Sequence, residues 1–382
     1  MIVVIIDMSI DRMLSAFNSQ KFRFWAFVSM VLLVFVHGYN LDLNYLQPWT
    51  LPGEPLSFTT FTEYWLANGL FRFRIPMLFI ISGYLFAMGD SKPYKERTGK
   101  RVKTLLYPYL IWSAIALILT YVLEFFYFGK NIIIATRMMQ IDNTRTLLHQ
   151  YHWYEVLARW IFFPASYQLW FIRVLFFYNL AYPALRWCVT HRIAKWIFFS
   201  FAVLAWLATV GIVFVEGEGL LFFSLGIWMQ KTNFDIDKPG KWLQPVYWFI
   251  VFVALSVVKT LLAFLPHFNG IEHILLLCHK IVVISGLIVA WYGGNAMVKY
   301  CMGKAWFVQL TAFSFMIYVL HAPLVLYATK AIFLYIDHYP GYRLVTFIVL
   351  PLCIIIFSIG FGYLLRRYLP AIYSIVTGGR GL

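Results

Sequence analysis

Long apolar runs recur along this chain, separated by short polar stretches. Runs of about 20 residues predict membrane-spanning helices. They fall near 22–40, 69–89, 105–127, 168–187, 195–215, 217–230, 243–265, 272–292, 305–329 and 345–369. The sixth is short for a span and is also readable as a tilted or re-entrant segment. A transmembrane β-barrel would alternate apolar and polar residues in ten-residue strands, and this chain does not. The pattern predicts an all-α, polytopic integral membrane protein with about ten transmembrane helices.

Composition agrees. Hydrophobic residues make up 62% of the chain and charged residues 12%. A soluble domain carries roughly 25% charged residues, so there is too little charge here to coat a globule in water. The chain reads as one membrane-embedded domain over 1–382, without internal repeats or a soluble domain. Met1 to Ile6 is too short for the apolar core of a cleavable signal. Cys188, Cys278, Cys301 and Cys353 have no paired spacing and read as buried free thiols.

The net charge of +15 is mainly an orientation signal. With the N-terminus in the cytoplasm, the inner segments hold Arg12, Lys21, Arg23, the cluster Lys92, Lys95, Arg97, Lys100, Arg101 and Lys103, and most of the remaining basic residues. The outer segments hold only Lys130, Arg137, Arg145, Arg159, Lys330 and Arg343. The positive-inside rule then places both termini in the cytoplasm and favours an even number of spans. On this reading 1–21 is a cytoplasmic N-terminal segment and 370–382 a cytoplasmic tail. No nucleic-acid motif appears among the basic residues. The outer connection 129–166 carries an amphipathic pattern from Thr144 to Phe162, which predicts an interfacial helix. His149 and His152 have a metal-compatible spacing but no acidic or cysteine partner nearby in sequence, so no metal site is expected.

Candidate chemistry lies within the spans. His37 closes the first apolar run, in the outer half of the membrane at a rise of ~1.5 Å per residue. Ionisable side chains inside a membrane are costly and mark functional sites. Histidine is also readily poised as a base near neutral pH. Arg72, Arg74, Arg173, Lys259 and His321 fall at similar depth on other spans, with His279 and Lys280 nearer the middle. In sequence, the only acidic residue near this basic layer is Glu124. Unless the cations snorkel to the interface, an anion must come from elsewhere. Arg72 and Arg74 are two positions apart and face different sides of a helix.

Several segments resemble the acyltransferase 3 family of bacterial membrane proteins, in the family's order. They are Leu-Val-Phe-Val-His37; Arg74-Ile-Pro76 through Ser82-Gly83-Tyr84; Arg101 through Pro108, Tyr109 and Trp112; Trp170-Phe171-Ile-Arg173; and Phe313-Ser314 through Tyr318, His321 and Pro323. One position departs from the pattern. Family members commonly carry an arginine eleven positions before the histidine, where this chain has Ala26; Arg23 is the nearest, and Arg74 or Arg173 are other sources of that charge.

The resemblance implies transfer of an acyl group, commonly acetyl, from acyl-CoA to a hydroxyl of a sugar or other envelope glycan, at the bacterial inner membrane. His37 would be the general base, with His321 its partner or rival. Arg72, Arg74, Arg173 and Lys259 would meet donor phosphate or the oxyanion, Trp170 and Tyr318 would line the path, and Lys100, Arg101 and Lys103 would hold the nucleotide end of CoA. Acyl-CoA is the donor and no metal is implied. Two other classes fit the same basic layer: a secondary transporter exporting an anionic saccharide or metabolite, and a non-catalytic partner in polysaccharide assembly. The transporter reading lacks paired broken helices and intramembrane acids in sequence. The orientation predicts that a phosphatase active only outside the cytoplasm stays inactive when fused to either terminus; activity at one terminus alone would exclude an even number of spans.

Overall fold

The computed structural model describes residues 14–39, 47–141, 144–337, 339 and 341–381. Arg12 and most of the segment 1–21 lie outside the described residues. The described chain is helical; apart from helices it forms one isolated antiparallel bridge between Gly211 and Glu216. In chain order the helices are α1 (Ala16–Gly38), α2 (Phe58–Ser91), α3 (Tyr94–Leu123), α4 (Tyr127–Thr136), α5 (Trp153–Ile161), α6 (Trp170–Leu180), α7 (Tyr182–Thr190) and α8 (Ala194–Leu207). They continue as α9 (Gly217–Lys231), α10 (Pro245–Ala263), α11 (Ile271–Gly293), α12 (Asn295–Met302), α13 (Ala305–Thr311), α14 (Ser314–Tyr335), α15 (Tyr342–Tyr368) and α16 (Pro370–Thr377).

Among the described residues, seven helices are long and apolar enough to cross a membrane, or up to eight if α7 and α8, bent by 115°, form one span. The sequence pattern merges elements that proline and short polar breaks separate. The run 168–187 is two helices, α6 and α7, with Pro183 in the first turn of α7, where proline starts a helix rather than continuing one. The run 195–215 is helical only to Leu207. The run 305–329 is α13 plus α14. In the outer connection the helix covers Trp153–Ile161 rather than 144–162, because Arg145 is drawn to Glu155 at 2.5 Å and His149 to Glu124 at 2.8 Å. The tail is also not free: α16 packs on α3, and the Trp112 indole donates to the Val376 carbonyl at 2.9 Å.

Among the described residues three helices contain a π turn, at Trp65–Leu70, Val102–Leu106 and Val289–Gly293. A π turn leaves backbone carbonyls splayed out of the i→i−4 ladder. In α2 these carbonyls meet cations. Arg72 Nε donates to Ala67 O at 2.9 Å, and Lys259 Nζ, fully buried on α10, donates to Asn68 O at 2.7 Å.

Helices α2 and α9 cross in close contact. A Cβ on Gly83 would sit 2.0 Å from the Phe223 carbonyl oxygen, and one on Gly226 would sit 2.2 Å from that of Ile80. Small residues let membrane helices approach this closely. Gly83→Ala is expected to destabilise the fold by about 1–3 kcal/mol through overpacking, read as a lower melting temperature in detergent.

Candidate functional site

The site begins at a break in α14. Pro323 cannot donate a backbone hydrogen bond, and Ala322 before it adopts φ −118°, ψ 136°, outside the helical region. Proline in a helix interior leaves the carbonyl four residues back, here Val319 O, without its donor, and the extended ψ of Ala322 turns that residue's own carbonyl out of the ladder. Gln168 Nε2 reaches Val319 O at 3.4 Å, and two side chains from the segment before α6 take up the Ala322 carbonyl. Ser166 Oγ donates to Ala322 O at 3.0 Å, and Gln168 Nε2 donates to Ala322 O at 2.7 Å. Tyr318, one turn earlier, returns a bond by donating its hydroxyl to Gln168 O at 2.6 Å. Tyr167, between the two clamped residues, is thereby held over α1, with its hydroxyl 2.5 Å from His37 Nδ1.

His37 and His321 stack, with ring centroids 5.2 Å apart and an interplanar angle of 27°. The two are not equivalent. His321 is fully buried, and the Ile317 carbonyl 3.1 Å from its Nδ1 accepts from it. Its Nε2 then carries the lone pair and has no hydrogen-bond partner among the described residues. His37 is half-buried. Tyr167, His37 and His321 thus form a line of proton-carrying groups, with His37 the member reachable by a ligand.

The intramembrane cations divide into two groups. Arg72 and Arg74 are close enough for their charges to act on His37. Arg74 is 4% exposed and donates to Phe71 O at 2.8 Å. Arg173 and Lys259, expected to share the site, serve backbone instead. Arg173 Nε donates to Val213 O at 2.7 Å and its Nη1 to Phe162 O, while Lys259 holds the π turn of α2. Arg23 also has a structural role, donating to Thr311 Oγ1 at 2.6 Å and Val308 O at 2.7 Å. Trp170 packs against Phe79 and Phe171.

The balance of acids differs from the sequence expectation. Glu124 does not face the basic layer; it accepts from the backbone of Leu148 and His149. The acids that do reach buried cations come from other segments. Glu63 and Glu54 bind Arg343 at 2.9 and 2.6 Å. Glu216 and Glu218, at the start of α9, act on Lys280, whose ammonium lies over the Trp206 and Trp49 rings at 4.7 and 5.6 Å. Trp206 Nε1 donates to Glu218 at 3.2 Å, and the charges of Arg74 and Arg72 also bear on Glu218. This aromatic and charged cluster adjoins the histidine pair through the two arginines. No group of three or more metal-ligating side chains occurs among the described residues.

From Tyr318 a narrow cavity, with about 40 Å³ of free space, runs along α1 past Ser82 and Ala26 to Arg380. That end of the bundle also gathers Arg101, partly buried over the Phe86 ring at 5.1 Å, and Arg366. Lys100 and Lys103 are exposed there.

Tyr167 and Gln168 escaped the sequence reading because neither is charged and both stand at the edge of an apolar run. The proline two positions after His321 was the available signal that an unsatisfied carbonyl needed a partner.

The long apolar helices define a multi-pass membrane protein, with the stacked histidine pair as its candidate site. The sequence matches the acyltransferase 3 model, described as an acyltransferase domain, over residues 21–367. The chain belongs to that family and is an acyltransferase moving groups other than aminoacyl groups. It is similar to the succinoglycan biosynthesis protein ExoH of Rhizobium meliloti (strain 1021), at 25% identity over 323 residues, covering 82% of this chain and 81% of the relative. No solved structure matches. Tyr167→Phe removes one hydrogen bond to His37, worth about 1–1.5 kcal/mol. It is expected to lower the acyl-transfer rate about tenfold, with the melting temperature unchanged.

Proposed function

We propose that this protein transfers an acyl group, acetyl in the simplest case, from acyl-CoA to a hydroxyl of a polysaccharide or its precursor. The observation that carries the reading is the half-buried His37, oriented by Tyr167 and stacked on His321. His37 takes the proton of the acceptor hydroxyl as its oxygen bonds to the thioester carbonyl carbon. Arg74, whose charge acts on both histidines, stabilises the oxyanion of the tetrahedral intermediate. The C–S bond then breaks, and the protonated His37 returns its proton to the departing CoA thiolate. The balance is one ester formed and one thioester consumed.

His321 is the partner in this scheme, because its full burial keeps it from an acceptor. The cluster of Trp49, Trp206, Glu218 and Lys280 suits a hydroxylated, partly charged acceptor, offering ring faces, a carboxylate acceptor and an ammonium donor. The printed role of the ExoH relative, in succinoglycan biosynthesis, supports a polysaccharide acceptor. The chain would sit in the bacterial inner membrane with ten crossings and both termini in the cytoplasm. The bent pair α7–α8, taken as one crossing, and the shorter helices α6 and α9 then complete the count, and the basic end faces the acyl-CoA pool.

The test uses membranes carrying the full chain, labelled acetyl-CoA and envelope glycan. Wild type is expected to label glycan, and His37→Ala to lower the rate at least 100-fold, the lower bound for loss of a general base. His321→Ala should retain more activity than His37→Ala; the reverse order would exchange their roles. Equal labelling by wild type and His37→Ala would remove His37 from the chemistry. Anion transport by purified protein in vesicles, without acyl transfer, would replace the enzyme with an exporter.

A further inference from the structure

The C-terminal segment ends in a hook. After α16 the backbone passes through Gly378, Gly379 and Gly381 at φ +62°, +75° and +77°, a region L side chains rarely adopt. Space is lacking as well. A Cβ on Gly378 would lie 2.7 Å from Thr104 Cα, and one on Gly381 would lie 2.3 Å from the Ala312 carbonyl oxygen. The hook therefore wedges between α3 and the start of α14, where Arg366 donates to Gly381 O at 2.7 Å. Its one long side chain is Arg380. This residue is 6% exposed, lies over the Phe315 ring at 4.6 Å and lines the cavity opposite Ala26.

A guanidinium this buried needs a counter-charge. Arg380 donates to the Thr377 carbonyl at 2.9 Å, and no carboxylate among the described residues pairs with it. The charge that bears on it most is another cation, Arg101. Burial first, and Arg101 second, push its pKa down to about 9, which still leaves it charged at neutral pH. Arg380 lines the cavity, and Arg101 lies near enough for its charge to act on Arg380; two such guanidinium groups suit a multiply charged anion.

Length identifies the anion. From Ala26 to His37, α1 rises ~16 Å at 1.5 Å per residue. In acyl-CoA about thirteen bonds separate the diphosphate from the thioester sulfur, ~15 Å when extended at ~1.2 Å per bond. An anchor beside Ala26 therefore brings the thioester to the histidine pair. We propose that Arg380 is a donor-binding residue that, with Arg101, pairs with the diphosphate of acyl-CoA while the pantetheine arm runs through the cavity to His37. The proposal rests on acyl-CoA being the donor. With about 40 Å³ of free space the cavity is smaller than the arm, so donor entry widens it.

The test is calorimetric titration of acetyl-CoA into the purified full chain in lipid nanodiscs, for wild type, Arg380→Ala and Arg380→Lys. Arg380→Ala is expected to weaken binding at least tenfold and to flatten its salt dependence. Arg380→Lys should recover part of the loss, with both variants melting within a few degrees of wild type when unliganded. Wild-type affinity in Arg380→Ala would overturn the assignment. So would equal loss in both variants accompanied by a lowered melting temperature, which would make the hook purely structural. Failure of wild type to bind acetyl-CoA would overturn the donor reading itself, separately from any effect of Arg380.

Discussion

The site depends on one carbonyl group. The break at Ala322–Pro323 leaves Ala322 O outside the helical ladder, within protein and away from water. A buried carbonyl without a donor costs about 1–3 kcal/mol, and Ser166 and Gln168 remove that cost together. Because they flank Tyr167, the same two bonds set Tyr167 over His37. The partner of the histidine is therefore positioned by a defect in a different helix. The defect also holds His321 at the end of an intact helical turn, where Ile317 O accepts from its Nδ1–H.

The buried cations follow a related logic. A membrane interior penalises unpaired charge and unpaired backbone alike. Here one excess cancels the other: splayed carbonyls of the α2 π turn accept from Arg72 and Lys259, and loop carbonyls accept from Arg173. These cations need no anionic ligand to be stable. Outside this set lie Arg74 beside the histidines, Lys280 among the tryptophans, and Arg380 at the far end of the cavity with Arg101 acting on it. Charge is thus concentrated at two levels about one α1 helix-length segment apart, with an apolar passage between them. This arrangement suits a ligand with a charged end and a long neutral arm.

The departure at Ala26 also gains a physical meaning. Arg23 is occupied with Thr311 and Val308 and leaves the cavity at Ala26 lined by a methyl group. The guanidinium that faces this space arrives from the other end of the chain, on a hook that glycines alone permit. Hydrophobic periodicity cannot anticipate such an exchange, since the last residues of the chain carry no periodic signal.

By itself the sequence determined the class, because hydrophobic burial in a membrane is a matter of composition and run length, which are local. It also singled out His37, His321 and Arg74, since an ionisable group in an apolar run is conspicuous without any structure. It merged α6 with α7 and α13 with α14, because short breaks barely alter a windowed apolar average. Only the tertiary structure decided which cations serve backbone, that Glu218 and not Glu124 lies near the charges of Arg72, Arg74 and Lys280, that Tyr167 meets His37, and that Arg380 lines the cavity beside Ala26. Each of those depends on which carbonyl or ring lies across from a side chain. That is a property of residues dozens to hundreds of positions apart, brought together by packing.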